Sequence, residues 1–116
     1  MNILWISFLG SWTLPLLKTI KQTNHVGIII PIIDGKENLL QEKDGICFYS
    51  LALSSKECYT NMDIETYYKY KKIIDTFKPD IIHIHGTEKN LAQIQNFIKD
   101  IPIVISIQGL LIGCKP

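Results

Sequence analysis

The stretch Lys78-Pro-Asp-Ile-Ile-His-Ile-His-Gly-Thr-Glu88, in the last third of the chain, has the pattern of a buried strand followed by a helix. A preceding helix must end before it, because the residue before Pro79 avoids the helical conformation and proline has no amide hydrogen to donate. The isoleucine-rich run that follows is too short for a helix and ends at Gly86, which is typical of a strand in a parallel sheet. Thr87 suits the N-cap of a new helix. These signals predict one half of a parallel βαβ unit.

Strand and helix patterns alternate along the whole chain. Apolar runs predict strands at 3–7, 25–31, 46–52, 81–85 and 103–107, and apolar residues at helical spacing predict helices at 13–22, 63–77 and 88–99. The first helix is capped by Ser11 or Thr13, and the second by Asn61 or Asp63. Segment 32–44 is predicted to be an irregular, partly helical excursion with a turn at Asp34-Gly35, and segment 54–62 a loop. This order predicts a single domain, residues 1–116, with a doubly wound, mostly parallel α/β sheet.

The second and third predicted helices each carry an apolar stripe at helical spacing. The stripe of the second helix consists of Tyr67, Tyr70, Ile74 and Phe77, and that of the third of Leu91, Ile94 and Ile98. Lysines decorate the opposite face of the second helix. Both stripes are therefore expected to face the sheet.

Charge and cysteine content argue against several classes of protein. Twelve basic residues, all lysine, balance eleven acidic ones, so the chain lacks the basic excess of a nucleic-acid-binding domain. Its three cysteines have no C-x-x-C spacing and fit a reducing cytosol better than a disulfide framework or a zinc site. The apolar segment 3–17 lacks the charged start and the cleavage site of a signal peptide, which favours a strand followed by a helix.

Candidate site residues follow three of the predicted strands. In an open parallel sheet, ligands bind outside the carboxyl ends of the strands. The candidates at these ends are Gly10, Ser11, His85, Gly86, Thr87, Glu88, Gln108 and Gly109. Ser11 and Thr87 also suit plain helix caps, and Glu88 also complements a helix dipole.

The histidines allow two interpretations. His83 and His85 share one face of a strand, as a metal pair would, but the remaining histidine, His25, is expected at the opposite end of another strand. We therefore predict no metal, and interpret His83 as a core residue and His85 as a cleft residue. No G-x-G-x-x-G or G-x-x-x-x-G-K-[ST] motif is present, which argues against a dinucleotide or Walker-type site.

Three segments together resemble the first domain of family-4 glycosyltransferases with GT-B architecture. They are Met1-Asn-Ile-Leu-Trp-Ile-Ser7 followed by Gly10, Phe77-Lys-Pro-Asp-Ile-Ile-His-Ile-His-Gly86, and Ile103-Val-Ile-Ser-Ile-Gln-Gly109. The resemblance implies two Rossmann-like domains facing a cleft, and transfer of a sugar from a nucleotide-sugar substrate with retention at the anomeric carbon, without metal or other cofactor.

The resemblance also implies a division of the work between the domains. The N-terminal domain receives the acceptor, while a C-terminal domain, absent from this chain, holds the nucleotide sugar. In many relatives the fifth strand ends in a histidine next to the reacting sugar, where this chain has Gln108. Glutamine donates and accepts hydrogen bonds to hydroxyls but does not take a proton.

The expected function is that of an acceptor-binding domain of a retaining transferase in bacterial surface polysaccharide synthesis. Its expected partners are a glycan or lipid-linked acceptor and, through the missing domain, a nucleotide sugar. The domain alone is expected to be inactive, because donor and acceptor must be held together for transfer. The expected location is the cytoplasm. Two further interactions are left open: peripheral contact with the inner membrane, and self-association through the apolar run 110–112. The alternatives are a stand-alone flavodoxin-like binding or signalling module and a metal hydrolase built on His83 and His85.

Overall fold

The computed structural model describes residues 1–7, 24–35, 38–43, 45–85 and 90–106. Within these ranges six strands form one sheet. They are β1 (Asn2–Ile6), β2 (His25–Ile33), β3 (Leu39–Lys43), β4 (Ile46–Leu53), β5 (Ile81–His85) and β6 (Ile103–Ser106). Their order is β3-β4-β2-β1-β5-β6, and all neighbours are parallel except β3 and β4. The predicted α/β class with a mostly parallel, Rossmann-like sheet is confirmed.

The order of the parallel strands distinguishes two kinds of doubly wound sheet. Without the antiparallel β3, the parallel strands numbered along the chain lie in the order 3-2-1-4-5. This is the order of the dinucleotide-binding type, whereas flavodoxin-like sheets have the order 2-1-3-4-5. The flavodoxin-like alternative is therefore wrong for the described sheet.

The described part contains helices α1 (Ser55–Tyr59) and α2 (Ile64–Phe77) and a 3₁₀ helix at Leu91–Asn96. Helix α2 begins after Asp63, whose carboxylate accepts a hydrogen bond from the backbone amide of Thr66 at 2.8 Å. It ends at Lys78, which has the left-handed conformation common at helix ends, with a φ of 55°, immediately before Pro79. Of the two caps predicted for this helix, Asp63 is the one used. No helix in the described ranges is both long enough and apolar enough to cross a membrane.

The larger core cluster lies on one face of the sheet, under the helices. It contains both predicted helical stripes and strand residues, among them Leu4, Ile6, Ile29, Ile82 and Ile84. Each buried side chain of this size contributes about 1.5–3 kcal/mol relative to an exposed one. The prediction that both stripes face the sheet is confirmed.

The opposite face carries a smaller buried cluster. Its members are Trp5, Val26, Ile28, Ile30 and Ile46. Because side chains alternate along a strand, His83 and His85 of β5 lie on this face, where their rings contact Trp5. The central strands β1, β2 and β5 are thus buried on both faces, as their apolar runs indicate.

The partly helical excursion predicted within 32–44 is wrong, because residues 39–43 form strand β3. This edge strand pairs antiparallel with β4, and the Asn38 side chain accepts a hydrogen bond from the backbone amide of Ala52 at 2.8 Å. Gly45, with a φ of 77°, lies in the turn between β3 and β4. An edge strand takes its backbone partners from a neighbour on one side and needs no apolar run of its own. The predicted turn at Asp34 is present, and β2 continues past its predicted end to Ile33.

The loop predicted for 54–62 is also wrong, because residues 55–59 form helix α1. The Ser54 hydroxyl accepts a hydrogen bond from the Glu57 amide at 3.1 Å, and the Glu57 carboxylate accepts one from the Ser54 amide at 2.9 Å. This reciprocal capping box stabilises the start of a helix, and its S-x-x-E signature is visible in the sequence.

The helix predicted for 88–99 is a 3₁₀ helix where the structure describes it, over Leu91–Asn96. The predicted start of this helix and the whole of the predicted helix at 13–22 lie outside the described residues. The predicted strand at 103–107 is confirmed as far as Ser106, where the description ends.

Candidate functional site

The carboxyl ends of β1, β5 and β6 lie side by side in the sheet. Ile6 is paired with Ile84, and His85 with Ser106. From β1 the chain continues to β2 on one side, while β5 lies on the other side, so the strand order reverses at this point. Such a switch point is where open α/β sheets bind ligands. The topology thus brings the carboxyl ends of these three strands together. Each predicted site residue lies at or after one of these ends in the sequence.

His85 is the one predicted site residue that the structure describes. It ends β5 and is only 3% exposed. The other candidates, Gly10, Ser11, Gly86, Thr87, Glu88, Gln108 and Gly109, lie outside the described residues, as does the apolar run 110–112. Their roles remain predictions.

The imidazole of His85 lies against two other rings. Its centroid is 3.9 Å from that of Trp5, at an interplanar angle of 43°, and 3.9 Å from that of His83, at 29°. Trp5 also meets His83 edge-on, at 5.4 Å. The register explains the arrangement, since Trp5 pairs directly with His83 across β1 and β5. The three rings form one aromatic cluster at the switch point.

Burial sets the protonation state of both histidines. Burial, with an added contribution from the neighbouring His83, lowers the pKa of His85 from 6.5 to about 4. Burial alone lowers the pKa of His83. At neutral pH His85 is therefore uncharged, with one ring nitrogen that donates and one that accepts. A base of such low pKa abstracts protons weakly, so its chemistry is that of a neutral hydrogen-bonding group.

His25 does not join the other histidines. It begins β2 at the opposite end of the sheet, where its ring stacks on Phe77 with centroids 4.9 Å apart. Within the described ranges no three His, Cys, Asp or Glu side chains form a group that could hold a metal ion.

A second group of polar contacts links α1 and the residues that follow it to Asn90 and the 3₁₀ helix. The buried side-chain amide of Asn90 donates to the carbonyls of Glu57 and Thr60 at 2.6 and 3.0 Å. The Gln93 side-chain oxygen accepts a hydrogen bond from the Met62 amide at 2.6 Å. Sequence analysis missed both residues, because their partners lie about thirty positions away and no local pattern marks them.

The fold and its switch-point site define a doubly wound domain of the Rossmann type. A profile of the family described as glycosyl transferase 4-like matches residues 3–115, so the chain belongs to that family. The resemblance predicted from the sequence, an N-terminal glycosyltransferase-4-like domain, is thereby confirmed. No curated protein gives a significant match.

A solved structure supports the same fold. It is described as trehalose-6-phosphate from E. coli bound with UDP-2-fluoro glucose, and it matches with a TM-score of 0.55 at 12% sequence identity. The match covers 92% of this chain and 33% of the other, so this chain spans about a third of that protein's length. At this identity the similarity concerns the fold, which is the Rossmann-like half of a GT-B architecture.

Proposed function

We propose that this chain is the acceptor-binding domain of a retaining glycosyltransferase that moves a sugar from a nucleotide-sugar donor to a cell-surface glycan or a lipid-linked acceptor. The family match over residues 3–115 carries the proposal. The strand order supports it, because the switch point lies between β1 and β5, two of the strands that the predicted site residues follow. We further propose that the site lies on the acceptor side of a cleft whose other side is a C-terminal domain.

In this proposal His85 contacts a hydroxyl group of the acceptor as a neutral hydrogen-bonding partner. Its low pKa, about 4, supports this role over that of a general base. The proposed contacts nearby are Gly10, Ser11, Gly86, Thr87, Glu88, Gln108 and Gly109. Glycines allow the backbone to approach a ligand closely, and the polar side chains supply donors and acceptors for sugar hydroxyls.

Catalysis would come from holding the donor and acceptor at reacting distance and from stabilising the departing nucleotide. Holding the two substrates together needs both domains, and stabilising the departing nucleotide is assigned to the C-terminal domain. We therefore propose that residues 1–116 alone do not catalyse transfer. We assign no metal or cofactor to this N-terminal domain. The nucleotide sugar counts as a substrate of the reaction and not as a cofactor.

The proposed cellular setting is the synthesis of bacterial surface polysaccharide at the cytoplasmic side of the inner membrane. The cysteine content supports a reducing compartment. A lipid-linked acceptor would bring the domain to the membrane surface as a peripheral protein.

The test uses the full-length protein that contains this chain, with nucleotide sugars as donors and membrane lipid extract as acceptor. Nucleotide release that depends on the acceptor supports the proposal, and NMR of the product reads out the anomeric configuration. His85→Ala should lower transfer at least tenfold, since an aligned contact with the acceptor hydroxyl is lost. Asp75→Ala, an exposed change on α2, is the matched control. Transfer that is unchanged in His85→Ala would overturn the site assignment, and inversion of the anomeric centre would overturn the mechanism.

A further inference from the structure

We propose that Trp5 is a positioning residue for His85: its indole ring holds the imidazole at the end of β5 in the orientation that contacts the acceptor. This inference rests on the proposed function. Trp5 lies within strand β1, one residue before its end, whereas His85 is the last residue of β5, so in this proposal Trp5 acts through His85.

Geometry places Trp5 where it controls the orientation of the imidazole. The register puts it opposite His83, and its ring reaches along β5 to within 3.9 Å, centroid to centroid, of His85. On its own strand His85 has a second ring at the same distance, that of His83. The χ2 torsion of a free histidine is broad, and rings packed at this distance restrict it. An imidazole packed against two rings therefore presents its nitrogens in a restricted direction, which is what an aligned contact requires.

The choice of tryptophan is poorly explained by core filling alone. Among the described residues, no hydrogen-bond acceptor faces the buried indole nitrogen of Trp5. Leaving such a donor unsatisfied costs about 1–3 kcal/mol. Phenylalanine or an aliphatic side chain would fill the cluster with Val26, Ile28 and Ile46 without that cost. The large ring is instead matched to its contacts with both imidazoles, at 5.4 Å to His83 and 3.9 Å to His85.

The test is a double-mutant cycle in the full-length protein, with Trp5→Leu, His85→Asn and the double variant. Trp5→Leu should lower kcat/KM for the acceptor by about tenfold to a hundredfold, while KM for the nucleotide sugar stays unchanged. In the His85→Asn background, Trp5→Leu should have no further effect, because two residues that act through one contact are not additive. Trp5→Phe keeps a ring beside His85 and should restore most of the activity.

The matched control is Ile28→Val, which lies opposite Trp5 on β2 in the same buried cluster. It should lower stability slightly and leave acceptor kinetics unchanged. If Trp5→Leu does not fold, Trp5→Met replaces it, since methionine fills irregular space without an aromatic ring.

The outcomes separate the two proposals. Additive effects of Trp5→Leu and His85→Asn, or a Trp5→Phe protein as impaired as Trp5→Leu, would overturn the positioning role alone. A His85→Asn protein with normal acceptor kinetics would overturn the proposed site and, with it, this inference.

Discussion

Asn2 and Asp80 hold the amino ends of the neighbouring strands β1 and β5 together. The Asn2 amide donates to the Asp80 carboxylate, and the Asp80 amide donates to the Asn2 carbonyl, each at 2.7 Å. The Asn2 side chain adds a hydrogen bond to the Lys78 carbonyl at 3.1 Å. Asp80, which belongs to the segment that resembles family-4 glycosyltransferases, therefore has a structural role at the amino end of the sheet, away from the proposed site.

We expect Asp80→Ala to lower the free energy of unfolding by about 1 kcal/mol, the usual contribution of one hydrogen bond. Urea denaturation of the full-length protein measures it. Asp75→Ala is the matched control, because it removes an exposed ion pair with Lys71 that is worth little. Equal losses in the two variants would contradict the role assigned to Asp80.

We expect Gly27→Ala to destabilise the fold by about 1–3 kcal/mol through overpacking. A Cβ atom at Gly27 would lie 2.7 Å from Phe77 Cε1, and Phe77, the last residue of α2, is itself packed on β2 by stacking on His25. In a Phe77→Leu background the smaller side chain leaves room, so Gly27→Ala should then cost less. Urea denaturation of the wild type, the two single variants and the double variant gives the coupling free energy between Gly27 and Phe77. Additive losses of stability would show that the contact with Phe77 does not cause the destabilisation.

Stability should fall as the pH is lowered from about 6.5 to about 4, the ordinary and the native pKa of His85. Between these values the unfolded state binds a proton that the native imidazole does not, so acid favours unfolding. One such group contributes at most about 1.4 kcal/mol per pH unit. His83, whose pKa is also lowered, acts in the same direction.

His85→Asn should therefore flatten the dependence of unfolding free energy on pH. Urea midpoints at pH 7 and pH 5 measure this, with His25→Asn as the control. The same pH difference in the wild-type and His85→Asn proteins would show that the imidazole of His85 is not buried in the neutral form.

Asn90→Ala should lower stability by about 1–3 kcal/mol, because it removes two donors and leaves the carbonyls of Glu57 and Thr60 without them. Hydrogen exchange should also quicken in α1, which these bonds tie to the 3₁₀ helix. Asn96→Ala, an exposed change at the end of the same helix, is the control. Unchanged exchange in α1 would mean that its packing on the core is sufficient without Asn90.

The features predicted from sequence are those with a local signal. Alternating apolar runs gave the parallel sheet, helical spacing gave the buried stripe from Tyr67 to Phe77, and Asp63 was among the predicted caps. Strand β3 was missed because an antiparallel partner, not its own sequence, makes it a strand. Helix α1 does carry a local signal, the capping box of Ser54 and Glu57, although segment 54–62 as a whole is predicted to be a loop.

The sequence predicts the position of His85 at the end of a strand but not the contacts of its side chain. His85 lies at the strand end where the sequence placed it. Its contact with Trp5 depends on the register between β1 and β5, which are distant in the chain, and no spacing rule reports such a register. The same limit hid Asn90, whose partners are fixed only when α1 has packed.

The amino ends and the carboxyl ends of the strands carry different kinds of contact. Two stabilising features lie toward the amino ends of the strands: the hydrogen bonds between Asn2 and Asp80, and the close contact of Gly27 with Phe77. The proposed acceptor contacts lie at or after the carboxyl ends. In the proposed function, substitutions after β1, β5 and β6 would change the acceptor contacts and leave the hydrogen bonds of Asn2 and Asp80 and the contact of Gly27 with Phe77 in place. Contacts with the acceptor and contacts that hold the strands together would then come from different parts of the sheet.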